Sequence, residues 1–407
     1  ELTTLEIGHF NGFPLKYNPG PITKGAFAWS GRSPEALFTD LRALGAYGAD
    51  RMVVQVNHPR DAILGYLNAY NYNPDTGLPE DASNVLLAPD GPEFGKDKFN
   101  LNFDALEIYN GKHFELIRSY RVPEVLPPPP LPMVVPPAGA ILRDSNGKIA
   151  FPGGLDDWFG FLDQGKRITA SANSDSHDTD DEAGYPRTYT PVSDDRPGSI
   201  PELDIVSAMR SQKAMLTNGP LVFFSVGGKA MGEVADGKAG TVKVKIQIRA
   251  ASWVDVSRVS ILLNGTSVKD FDGDRSSLAE LEADVPITRD SWILIEARGA
   301  KSMWPVVTPL EVPSIQIGDA VGGIAGAFGI SLNPFGNLQP NRVGVVKPYA
   351  FTNPVYVDFD GDGQFKGPGV SMQGLMAAES APRSSATRQK LSAMPTLLKV
   401  FAAFNCH

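Results

Sequence analysis

Arg167-Ile168-Thr169-Ala170-Ser171-Ala172-Asn173-Ser174-Asp175-Ser176-His177 is the stretch that decides how this chain reads. A short strand-like run passes into a polar end where an Asp and a His stand two residues apart. In extended backbone, side chains at i and i+2 project to one side, so Asp175 and His177 can grip one metal ion. Arg51-Met52-Val53-Val54-Gln55-Val56 has the same design: a buried strand, with Asn57-His58-Pro59-Arg60 at its end, where a parallel sheet or barrel carries its active-site loops. Two strand ends thus point imidazole and carboxylate toward a common rim, and the expected class is α/β.

The chain has five histidines, so their placement carries weight. His9 follows Glu1-Leu2-Thr3-Thr4-Leu5-Glu6-Ile7, whose alternation fits a strand. Glu1, His9, His58, Asp175 and His177 together make an oxygen-and-nitrogen ligand set without sulfur, which suits Zn, Mn or Fe and argues against copper–thiolate or iron–sulfur chemistry. A lone His is more often a hydrogen-bonded residue than a ligand, and His9 taken alone is weaker than His177 with Asp175. Lys112-His113-Phe114-Glu115 reads as the start of a surface helix, with a metal role for His113 as the alternative. His407 is given no role.

Several motifs occur together and in order: Glu1-Leu2-Thr3-Thr4 with Gly8-His9-Phe10-Asn11, Asn57-His58-Pro59-Arg60, Phe103-Asp104-Ala105-Leu106-Glu107-Ile108-Tyr109-Asn110-Gly111, and Asn173-Ser174-Asp175-Ser176-His177. Gly184-Tyr185-Pro186-Arg187, Thr217-Asn218-Gly219-Pro220 and Asn353-Pro354-Val355-Tyr356-Val357-Asp358 extend the series. In these the chain resembles the PHP (polymerase and histidinol phosphatase) metallohydrolases, in particular their carbaryl-hydrolase-like subgroup, over nearly its whole length. The resemblance implies a distorted (β/α)7 barrel with two or three divalent ions at the C-terminal ends of its strands, and Glu1, His9, His58, Asp175 and His177 as ligands. The sequence departs from the family in lacking a His-x-His pair and in beginning with Glu. The expectation is that the first barrel strands lie upstream of residue 1, and that this chain then holds at most one transition metal tightly.

Length and composition bound the remainder. A chain of 407 residues predicts about two to three domains at ~150 residues each. The expected division is a metal-dependent hydrolase domain over 1–218, a β-sandwich over 219–350, and an acidic turn with a helical tail over 351–407. Net charge is −9 with no basic run, which argues against nucleic acid, whose phosphates are held by clustered Lys and Arg. The single cysteine, Cys406, excludes an internal disulfide framework and a Cys-based zinc site. No apolar run of ~20 residues predicts a spanning helix; Ala320 to Ile330, the best candidate, is short and rich in glycine. The resemblance favours the periplasm or the cell exterior, with the cytoplasm as the alternative.

Local signals fill in the elements. Ser33-Pro34-Glu35 starts a helix, Ser as N-cap and Pro at the first position, and Ser199-Ile200-Pro201-Glu202 starts another. Between Val122 and Pro137 proline density implies an extended surface excursion. Thr241 to Arg249 alternates as a half-buried strand; Arg258 to Leu263 followed by Asn264-Gly265 is a strand and hairpin turn, and Ser291 to Arg298 is a further strand. Short strands without long helices between them predict the sandwich. Asp358-Phe359-Asp360-Gly361-Asp362-Gly363 has the front of a calcium loop, yet Gly369 occupies the position where a bidentate Glu belongs. A weak calcium site at Asp358, Asp360 and Asp362 and a plain acidic turn both remain open.

A divalent ion lowers the pKa of bound water toward ~7, and no Gly-x-Ser-x-Gly elbow or reactive-cysteine context competes with that chemistry. Arg60 and Arg187 are the expected catalytic cations, placed to meet an anionic oxygen through the forked guanidinium; tying a loop to a carboxylate is the equal alternative for each. The expected function is a metal-dependent hydrolase acting on a small phosphate ester. A carboxyl, carbamate or aryl ester hydrolase is the alternative, and an inactive barrel with a binding role through the sandwich is a third.

Overall fold

The computed structural model describes residues 1–4, 7–20, 27–61, 64–80, 95–111, 149, 152–176, 182–308, 310–313, 340–344 and 346–368. The first half contains β1 (Leu2–Thr3), β2 (His9–Phe13), α1 (Pro34–Ala43), β3 (Val53–Val56), α2 (Tyr66–Ala69), the short pair β4 (Tyr72–Asn73) and β5 (Leu78–Pro79), β6 (Ala105–Asn110), α3 (Gly154–Asp163) and β7 (Thr169–Asn173). It is followed by β8 (Arg187–Tyr189), α4 (Glu202–Arg210) and β9 (Met215–Thr217). The class is mixed α/β, rich in strands with few helices. The start of α1 follows from capping chemistry, Ser33 accepting the Ala36 N–H with Pro34 in the first turn; α4 starts after Pro201 without a side-chain cap.

One five-stranded sheet, in the order β1-β2-β3-β6-β7, positions the candidate site. The β1/β2 and β2/β3 pairs are antiparallel, with Phe10 opposite Val56, whereas β3/β6 and β6/β7 are parallel. The described strands form an open sheet and do not close into a barrel. β6 is buried along its whole length, as a parallel strand covered on both faces must be. His9 opens β2 instead of trailing one long strand, because the chain turns at Gly8, whose φ is +105°. A Cβ there would lie 2.7 Å from the Tyr66 nitrogen.

The second half is built of β10 (Leu221–Val226), β11 (Val234–Asp236), β12 (Thr241–Arg249), β13 (Arg258–Leu263), β14 (Thr266–Asp272), β15 (Glu280–Pro286), β16 (Ser291–Arg298), β17 (Leu310–Pro313), β18 (Pro340–Gly344), β19 (Tyr349–Thr352) and β20 (Val355–Asp358). A three-stranded sheet runs β10-β12-β15; a larger one runs β11-β20-β16-β19-β9-β8, with β13 on β16 and β14 beyond it. The two share a core of aliphatic residues from both, among them Val244, Ile246, Val259, Ile295 and Val357. β12 alternates buried and exposed residues along its length, and Asn264-Gly265, both at positive φ, make the β13–β14 turn. β17 and β18 pair separately.

The two halves are joined by one continuous core. β8 and β9 belong by pairing to the larger sheet of the second half, and Trp158 and Phe159 of α3 pack on Phe351 and Trp292 at ring distances of 6.0 and 5.0 Å. Burying aromatics of this size contributes roughly 1.5–3 kcal/mol each. α3 is buried throughout although it carries three aspartates, and each acid has a partner: Asp156 accepts the Gly153 N–H, Asp157 takes Arg60, and Asp163 takes the Trp292 indole N–H at 2.8 Å. Buried charge is tolerated only on such terms.

Candidate metal centre

Strand direction brings His9, His58 and Asp175 to one edge of the five-stranded sheet. The parallel strands β3, β6 and β7 end there, and antiparallel β2 begins there. His58 lies two residues past β3, and the Asn57 N–H closes on the His9 carbonyl at 3.0 Å. The His9 and His58 rings meet edge to face at 4.8 Å between centroids. Glu1 contributes from before β1, and its Oε1 lies 2.9 Å from His9 Nδ1. One ligand atom from each of Glu1, His9 and His58 falls within 4.8 Å of the others.

These three residues fit a divalent ion, and an unsatisfied atom among them is the sign of it. His9 Nε2 is buried and has no hydrogen-bond partner, although buried polar atoms are nearly always paired. With Nδ1 donating to Glu1, Nε2 carries the lone pair, the arrangement by which a carboxylate orients a ligating imidazole. The same contact draws the Glu1 carboxyl down to about 2, so it is ionised at any ordinary pH.

Glu107, an acid inside the motif Phe103 to Gly111, is a site residue that sequence pattern alone does not single out. Its carboxylate is buried behind the histidines, accepting the His58 backbone N–H at 2.6 Å and the Asn110 side-chain amide at 3.0 Å on Oε2. Oε1 accepts the Asn173 amide at 2.8 Å. Burial pushes its pKa up to about 7, against the pull of those hydrogen bonds. A register shift between β6 and β7 lies at Glu107 and Tyr109, the kind of bulge that re-aims a side chain next to a site. The available signal was a single acid inside the apolar run Ala105 to Tyr109.

Asp175 is linked to this group through Asn110, whose amide reaches Asp175 Oδ2 at 3.2 Å. His58 and Asp175 have φ values of +24° and +52°, a left-handed region that non-glycine residues enter rarely and that clusters at functional sites. His177 lies outside the described residues, as does His113. Arg60 is turned away from the edge: its Nε donates to Asp157 Oδ2 at 2.7 Å and Nη2 to the Tyr72 carbonyl at 2.7 Å. That is the loop-tying role. Arg187, at the start of β8, stacks on Tyr185 at 4.5 Å and approaches Tyr189 at 5.6 Å.

A second group that could hold a cation lies in the other half, where Asp290, Asp358 and Asp360 offer close carboxylate oxygens. Asp362, expected as the third member, pairs instead with Lys366. Among the described residues no helix is long and apolar enough to cross a membrane. No family model, no curated protein and no solved structure matches the chain.

Proposed function

We propose that this chain is a metal-dependent hydrolase of the PHP type, acting on a small phosphate ester at the edge where β2 begins and β3, β6 and β7 end. The observation that carries the reading is the buried, unpartnered His9 Nε2, in a ring that meets the His58 ring edge to face, with the ionised Glu1 beside it. The resemblance to PHP barrels and their ligand order supports it. A bound divalent ion would supply Lewis acidity, lowering the pKa of its water toward ~7 and polarising the ester.

The chain's own groups prepare that site. Glu1 orients His9 through Nδ1, and the His58 N–H to Glu107 contact fixes the strained turn that presents the imidazole. In the metal-free chain the Glu107 carboxyl keeps its proton up to about 7; a cation alongside would favour its ionised form. Asn110 holds Asp175 and Glu107 in one network.

The test is metal content after exhaustive dialysis, followed by hydrolysis of p-nitrophenyl phosphate against p-nitrophenyl acetate by the Zn-, Mn- or Fe-loaded chain. Retained metal with preference for the phosphate supports the reading. Retained metal with preference for the acetate moves it to carboxyl ester hydrolysis, and no metal retention at all ends it.

A further inference from the structure

The turn that presents His58 is held from behind by a buried ion pair, and we propose that Arg60 and Asp157 are positioning residues that set His9 and His58 at the spacing a divalent cation requires. This rests on the metal-dependent reading above. Residues 58–61 and 64–68 bracket both histidines. The Asp61 N–H bonds to the His58 carbonyl at 3.0 Å, the Leu67 and Asn68 N–H groups bond to the Pro59 carbonyl at 3.0 and 3.1 Å, and the His9 N–H bonds to the Leu64 carbonyl at 3.2 Å. The described backbone on either side thus carries His58 and, through Leu64, holds the backbone of His9.

At its glycines the described backbone is tightly packed. A Cβ on Gly65 would lie 2.6 Å from both the nitrogen and the oxygen of Asp61, and one on Gly8 would lie 2.7 Å from the Tyr66 nitrogen. Backbone packs on backbone, so a displacement of residue 60 passes to both imidazoles. Arg60 fixes that residue through a fork onto both oxygens of Asp157 and a third bond to the Tyr72 carbonyl. The two side chains are 6% and 0% exposed. Asp157 sits on α3, and α3 is anchored at its far end by Asp163 to Trp292. The histidine loop is thus referenced to the common core of the two halves.

A buried ion pair is weak evidence for stability in itself, since apolar residues of similar volume often serve as well. What the guanidinium adds is direction: planar, fixed donors that a lysine ammonium does not reproduce. The two roles separate experimentally on that ground. In the full chain, the double variant R60M/D157L removes both charges and keeps bulk, while R60K keeps the charge and loses the fork. The readouts are the Tm of the metal-free protein, the Zn2+ and Mn2+ dissociation constants by chelator competition, and the visible spectrum of the Co2+ form.

We expect R60M/D157L to keep a Tm near that of the wild type while binding Zn2+ and Mn2+ about 10-fold or more weakly, the range typical of groups that orient ligands. Its Co2+ spectrum should also shift. A folded double variant with wild-type affinity and an unchanged spectrum overturns the positioning role. If the double variant does not fold, R60K decides: weaker metal binding supports the proposal and unaltered binding overturns it. A wild-type chain that binds none of these ions sinks the metal reading and this inference together, whereas metal binding indifferent to Arg60 sinks this inference alone.

Discussion

Two groups of side chains in this molecule bring ligand atoms together, and they differ in what those atoms already hold. At the aspartate turn, Asp358 accepts the N–H groups of Gly361 and Gly363 at 2.6 and 2.7 Å. Asp290 accepts those of Phe359 and Lys366, and Asp360 takes Lys366 Nζ at 3.3 Å. The carboxylates there are used to fold the turn. At the sheet edge, His9 buries a ring nitrogen with nothing to accept. Closeness does not distinguish the two groups. Unmet hydrogen-bonding demand does, because a buried polar atom left without a partner costs about 1–3 kcal/mol.

The largest effect expected from that contrast is on metal retention. Replacing His58 or His9 by Ala should lower Zn2+ or Mn2+ affinity by at least about 100-fold, the upper end of what even indirect contacts cost, and abolish hydrolysis. Chelator competition and elemental analysis measure it; a His58→Ala chain that keeps its metal would erase the distinction.

Next comes the pH dependence of the metal-free protein. Below about 4.5 Glu107 carries its proton in folded and unfolded chains alike. Between 4.5 and about 7 the unfolded chain sheds that proton and the folded chain does not, so this residue makes stability fall as pH rises through the window. The difference corresponds to about 3 kcal/mol at 1.36 kcal/mol per unit. Denaturant titrations of wild type and Glu107→Gln at pH 4.5 and 7 should show the fall in the first and its absence in the second. Added Zn2+ should reverse the trend in the wild type.

A smaller effect of opposite sign belongs to Glu1. Its carboxyl is drawn below the usual range to about 2 by His9, so its contribution is present above about 4.5 and is lost as pH falls toward 2. Solvent screening at this partly exposed group limits it to about 1 kcal/mol or less. Glu1→Gln should flatten the acid limb of stability by that amount. The smallest expected effect on metal comes from Asp358→Asn, which should lower Tm by a few degrees and leave transition-metal content unchanged.

Local chemistry was legible in the sequence wherever it was self-contained. Ser33 and Pro34 declare the start of α1, the alternation of Thr241 to Arg249 declares β12, and Asn264-Gly265 declares a turn. His58 was legible as the end of a buried strand, whereas His9 and Glu1 entered through residue type and the resemblance, and it is the antiparallel start of β2 that sets His9 beside His58. What was not legible depended on partners distant in sequence. Arg60 meets an aspartate 97 positions away. Glu107 looked like one acid in an apolar strand until Asn110, Asn173 and the His58 amide closed around it. The order of strands was hidden too: nothing local in β1 and β2 says that they pair antiparallel at the side of β3, leaving an open sheet among the described residues. Nor does the turn at Asn218 show that β8 and β9 cross to pair with the second half.

The buried helix α3 has a kinetic consequence. Its acids wait for partners on both sides: Arg60 was synthesised 97 residues earlier than Asp157, and Trp292 follows Asp163 by 129. Contacts of such separation form late, after loop closure has been met. On the ribosome, the strands that carry His9 and His58 are complete long before Trp292 emerges, yet the helix that braces their loop cannot seat its far end until then. The full brace of the candidate centre therefore awaits the second half of the chain, and a nascent chain stopped short of residue 292 would hold its histidine loop through Arg60 and Asp157 on a helix still unanchored at its far end.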